Sequence, residues 1–170
     1  MAVWQWDLWL VPRVKVFEYF PNIPEYVDLE WFESIDWWVD VSQAELRAFF
    51  NEVLPYQPEQ ATPISERWGL PDETCIRLMI EEEKITDVSV RIDARNIETN
   101  FLRSLIDFAK TNGYIFFTLE SNRFVEPEKK CFSDELNRSR AMRFVKNPLK
   151  FFEDKPYLDK INKEIRRKWK

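Results

Sequence analysis

Three residues at alternate positions offer the most explicit chemistry in the chain. Arg91, Asp93 and Arg95 would lie on one face if residues 88–95 form a strand. Two guanidiniums spaced this way could clamp a carboxylate or a phosphate, with Asp93 orienting them. The same pattern also fits a cross-strand ladder of ion pairs with little energetic weight. A second cluster runs Trp31-Phe32-Glu33-Ser34-Ile35-Asp36-Trp37-Trp38-Val39-Asp40. Trp is enriched at binding hot spots, and neighbouring carboxylates suit a basic partner. Trp31, Asp36, Trp37, Trp38 and Asp40 are therefore the candidate contact residues. The competing reading puts the rings in the core and the acids in water. On a strand, adjacent Trp37 and Trp38 could not both face inward, which would leave one partly exposed.

Other constellations are weaker. Asp7, Asp36, Asp40, Asp72, Glu73, Asp93, Glu120 and Glu126 could supply acid–base pairs or oxygen ligands for Mg²⁺. Their spacing matches no nuclease or glycosidase motif, so no catalytic residue, metal site or cofactor is assigned. The C-terminal region is basic, from Arg138, Arg140 and Arg143 to Lys168 and Lys170. It could hold nucleic acid or an anionic membrane. A sequence pI of about 5.0 argues against a dedicated nucleic-acid binder. The basic end could equally meet the acidic first third of the same chain, or of a second copy in a homodimer.

Composition narrows the chemistry further. The 170 residues include no His, only 2 Gly, 8 Trp and 14 Phe, with a formal net charge of −5. Without His, Ser-His-Asp and Cys-His nucleophile systems and His-containing zinc sites are excluded. Two Gly cannot build a Gly-rich phosphate loop. Cys75 and Cys131 are too few for a disulfide framework. Residues 1–60 hold 11 acidic and 3 basic side chains, whereas residues 121–170 hold 8 and 15. Seven of the eight Trp lie at or before Trp68, so the acidic third is also the Trp-rich one. The opening Met-Ala-Val-Trp-Gln-Trp-Asp has neither a basic nor an apolar signal region, and no run nears the roughly 18 apolar residues of a membrane span. A cytoplasmic chain with one domain over residues 1–170 is expected.

The elements that must position these residues can be read from periodicity. Trp4, Trp6, Leu8 and Leu10 alternate with Gln5, Asp7 and Trp9, predicting a strand that Pro12 ends. Residues 17–40, interrupted by Pro21 and Pro24, show no clear period. Ser42 and Glu45 form a capping box ahead of Leu46, Phe49, Phe50 and Val53. Residues 55–71 read as a long connection. Cys75–Ile80 and Val88–Arg95 alternate on either side of a polar turn, predicting a β-hairpin. Residues 97–112 predict a helix closed by Gly113, and Tyr114–Leu119 a buried central strand. Phe124-Val125 is a candidate short strand. Helices follow, with Pro127 at the first position of one, and a basic helix over 155–170. The expected fold is α+β: an antiparallel sheet with helices on one face, in ferredoxin-like βαββαβ order, plus C-terminal helices.

Several phrases also carry a resemblance. Trp68-Gly69, Asp72-Glu73, Arg91-Ile92-Asp93-Ala94-Arg95, Val125-Glu126-Pro127, Ser139-Arg140-Ala141 and Phe144-Val145-Lys146-Asn147-Pro148 resemble, in order and spacing, a family of small uncharacterised bacterial proteins. The resemblance covers about residues 3–152. Proteins of this kind are often immunity proteins beside polymorphic toxins. The resemblance therefore implies protein binding, with a toxin as partner, and fixes no residue's role.

Overall fold

The computed structural model describes residues 2–153, so the basic helix expected over 155–170 lies outside the described residues. The fold is α+β. Among the described residues, six strands form one antiparallel sheet: β1 (Gln5–Pro12), β2 (Ser65–Trp68), β3 (Cys75–Glu81), β4 (Lys84–Asp93), β5 (Tyr114–Thr118) and β6 (Arg123–Val125). Their order across the sheet is β2-β3-β4-β1-β5-β6. The strands read from alternation occupy the centre, with β1 between β4 and β5. The six-strand order departs from the ferredoxin-like expectation because the sheet grows at both edges. β2 adds beside β3 from within the expected connection, and β6 adds beside β5.

Seven α-helices are described: α1 (Arg13–Tyr19), α2 (Leu29–Glu33), α3 (Gln43–Val53), α4 (Thr99–Thr111), α5 (Lys129–Arg138), α6 (Arg140–Lys146) and α7 (Pro148–Glu153). Among the described residues, none is long and apolar enough to cross a membrane. Local chemistry accounts for their ends. The Ser42 hydroxyl accepts the Glu45 N–H at the start of α3, as a cap should. After α4, Gly113 takes a left-handed φ of 71°, which only glycine adopts without strain. Pro127 precedes α5 instead of occupying its first turn, since Glu128 is the N-cap. The β3–β4 hairpin turns on Glu82 and Glu83, both at positive φ (49° and 65°). That geometry suits the right-handed twist of a two-residue hairpin, here built without Asn or Gly.

The two sheet faces differ. On the inner face, Phe50 of α3 meets Trp68, Phe108 of α4 stacks on Tyr114, and Phe132 of α5 meets Trp6 and Phe116. Helices are not confined to that face. Phe32 of α2 stacks on Phe117 at 3.8 Å and also meets Trp9, both on the outer face. Residues 20–40 thus cover the β1-β5-β6 half of the outer face, and the β2-β3-β4 half keeps a polar row.

Candidate functional site

The Trp-rich segment forms α2 and a turn, with no strand. This corrects the expectation that one of Trp37 and Trp38 is exposed. In a turn, adjacent side chains need not point to opposite sides, and both are buried, at 1% and 6% exposure. Their polar atoms are satisfied inside: Trp37 Nε1–H donates to the Phe32 carbonyl and Trp38 Nε1–H to the Leu10 carbonyl, each at 2.8 Å. Trp37 stacks on Phe32 at 4.9 Å and meets Phe124 edge-on. Trp31 is half-buried between Phe20 and Tyr19. The rings are core, and the surface of this segment belongs to other residues.

Asp36 and Asp40 are exposed, as the contact reading requires. They belong to a larger set. From Val16 to Leu46 the chain carries eight carboxylates and no Lys or Arg. Glu18, Glu25, Asp28, Glu30, Glu33, Asp36, Asp40 and Glu45 are all exposed. Only Glu18 has an ion-pair partner among the described residues, Lys15 at 2.9 Å. The segments holding Glu18, Glu30, Glu33, Asp36 and Asp40 are close together: Tyr19 of α1 packs edge-on against Trp31 and Trp37, and Lys15 feels both Glu18 and Asp40. Exposed apolar groups lie among them, namely Phe17, Tyr19, Tyr26 and Val39. Sequence reading passed over these because residues 17–40 lack a period. The run of acids without a single base was the available signal.

The row Arg91, Asp93, Arg95 is not assembled as expected. β4 ends at Asp93, so Arg95 sits in the following turn. Arg91 turns away from Asp93 to Asp7, its cross-strand partner, with Nε at 2.8 Å and a second contact at 3.3 Å. It also donates to the Pro71 carbonyl at 3.2 Å. Arg95 folds back on Asp93 with Nη2 at 2.7 Å, donates to the Asp72 carbonyl, and lies over the Trp4 ring at 4.4 Å. The two arginines tie the loop after β2 to the sheet, and each already holds a carboxylate of this chain. Burial alone would raise the Asp93 carboxyl, but the hydrogen bonds and charge of Arg95 outweigh it and hold it below the usual carboxylate value.

Arg67 of β2, Arg77 of β3 and Asp87 of β4 share that polar row and were missed. β2 falls within the stretch expected as a connection, so its register beside β3 has no signal in the local pattern. Asp87 accepts from Trp9 Nε1 and lies 3.6 Å from Arg77. Burial pushes its carboxyl up, against the pull of the Trp9 hydrogen bond and the Arg77 charge. Elsewhere, an open groove of about 460 Å³ lies beside α3 and β2. Its Arg47 and Glu66 are joined by two hydrogen bonds, at 2.8 and 2.9 Å. Among the described residues no group of acidic or Cys side chains could hold a metal ion.

No protein-family model, curated protein or solved structure matches the chain.

Proposed function

We propose that the chain is a protein-binding module that uses the acidic surface of residues 16–46 to engage a basic protein. The observation that carries this reading is the set of exposed carboxylates with no base among them and, apart from Glu18, no ion pair among the described residues. Such a surface has a physical use in steering encounter with a positively charged partner. Phe17, Tyr19, Tyr26 and Val39 supply apolar contact area beside it. Trp37 and Trp38 support the surface from beneath and do not touch the partner.

The resemblance to immunity proteins sharpens the partner to a toxin, blocked on its surface in the cytoplasm of a bacterium. Arg91 and Arg95 do not form an anion clamp in this reading, since both are engaged by Asp7 and Asp93. A homodimer, with the basic end of one copy on the acidic surface of the other, would compete with toxin binding for the same carboxylates.

Co-expression with the protein encoded by the adjacent reading frame tests the proposal. The expected result is that this neighbour stops growth alone, that the chain restores growth, and that Glu33→Lys with Asp36→Lys and Asp40→Lys abolishes the rescue. A harmless neighbour, a toxic one that is not neutralised, or rescue that survives the triple reversal would overturn it.

A further inference from the structure

The open half of the outer sheet face carries an unbalanced charge. Arg67 and Arg77 are directly opposite across the β2–β3 pair. Like charges at such positions repel and destabilise a sheet. Ser89 stands opposite Arg77 on the other side, and Arg91 opposite Cys75. Three guanidiniums therefore share a patch with two carboxylates, Asp7 and Asp87. Both hydrogen bonds to Asp7 come from Arg91. Asp87 accepts from the Trp9 indole through Oδ2, and its Oδ1 lies 3.6 Å from Arg77 with no hydrogen bond among the described residues.

That leaves Arg67 without a carboxylate among the described residues. Its Nη1 lies 3.9 Å from the Cys75 sulfur, and a thiol is a weak acceptor. The Nε atoms of both Arg67 and Arg77 are buried with no hydrogen-bond partner among the described residues. Buried donors left unpaired are rare and call for an explanation. Two adjacent guanidinium forks, short of acceptors and repelling one another, are matched by a ligand that is dianionic and rich in acceptor oxygens.

We propose that Arg67 and Arg77 form a binding site for a phosphate-type oxyanion, either free phosphate or a phosphate monoester. A single tetrahedral group between the two side chains would neutralise the repulsion and accept from both forks. Arg77 keeps 42% of its side chain exposed, which would let the rest of a monoester extend into solvent without a cleft. Asp87 sets the boundary of the site: beyond it the sheet is roofed by Phe32 and its neighbours.

Thermal unfolding and titration calorimetry of the full chain test this, with sodium phosphate, glycerol phosphate and sodium acetate compared at matched ionic strength. Phosphate is expected to bind saturably and raise the melting temperature, whereas acetate does neither. Tighter binding of glycerol phosphate than of phosphate would assign the source as a monoester, and the reverse order as free phosphate. Arg67→Gln should weaken phosphate binding about tenfold or more. In phosphate-free buffer the same variant should melt no lower than the parent, because it removes the repulsion. Arg77→Gln provides a second variant with the same expected loss of affinity. A phosphate response no larger than that of acetate, or one retained in both variants, would overturn the site.

Discussion

The two halves of the outer sheet face receive the same alternating pattern and end in opposite states. Over β1, β5 and β6, Trp9, Phe117 and Phe124 lie beneath Phe32 and Trp37. Over β2, β3 and β4, the equivalent positions are Arg67, Arg77, Asp87 and Arg91, half-buried by one another and by the loop at Pro71. The covered half is held by ring packing; backbone carbonyls satisfy the Trp37 and Trp38 indole N–H groups, and Asp87 at the boundary satisfies that of Trp9. The open half is held by charge pairs of unequal completeness. Alternation fixes which residues share a face, whereas a separate segment decides whether that face is wet. Here that segment also turns its carboxylates outward, so one stretch of chain closes half a core and builds the acidic surface.

Substitutions in the covered half should have the largest effect. Trp37→Ala removes a ring at 1% exposure and should cost about 3–5 kcal/mol in denaturant unfolding. A cost below about 1 kcal/mol would mean that the segment does not roof the sheet. In the open half, Arg91→Ala breaks a pair whose side chains are 28% and 15% exposed, and should cost about 1–3 kcal/mol. Equal losses for the two variants would erase the distinction between the halves.

Two aspartates on β4 should respond to pH in opposite directions. The Asp93 carboxyl is held below its ordinary value, so its contribution is present above about pH 4 and is lost as pH falls through the lower folded value. Asp93→Asn should therefore destabilise near neutrality, by less than about 1 kcal/mol because Arg95 is exposed, and the deficit should close in acid. The Asp87 carboxyl is pushed up, so its contribution is present below about pH 4 and is lost as pH rises through the raised folded value. Asp87→Asn keeps an acceptor for Trp9 and should be neutral or stabilising at pH 7. Unfolding curves of both variants from pH 3 to pH 8 distinguish the signs. The smallest effect belongs to the outer surface: Asp36→Lys should change stability by less than about 0.5 kcal/mol.

Much of the fold was legible because it rests on period and caps. β1, the β3–β4 hairpin, α3 with Ser42, and α4 with Gly113 follow from local pattern alone. β2 was not, since Ser65–Trp68 is four residues long and sits among prolines, and only its pairing with β3 makes it a strand. Residues 17–40 were opaque because their structure answers to a tertiary partner: Trp37 and Trp38 point inward from a turn to reach Phe32, Phe124 and Leu10. The candidate site was partly legible. Asp36 and Asp40 are on the surface, whereas Trp31, Trp37 and Trp38 belong wholly or largely to the core. Arg91 chose Asp7, a residue 84 positions away, over its near neighbour Asp93, and no spacing rule within one strand can anticipate that.

The most direct test of the proposed acidic interface is the association rate between this chain and the protein encoded by the adjacent reading frame, the proposed partner, measured by stopped flow at low and high salt. If the acidic surface steers binding, Glu33→Lys with Asp36→Lys and Asp40→Lys should slow association about tenfold or more at low salt, with the gap narrowing as salt rises. Circular dichroism of the variant should match the parent. A rate that is unchanged by the triple reversal and insensitive to salt would contradict the account.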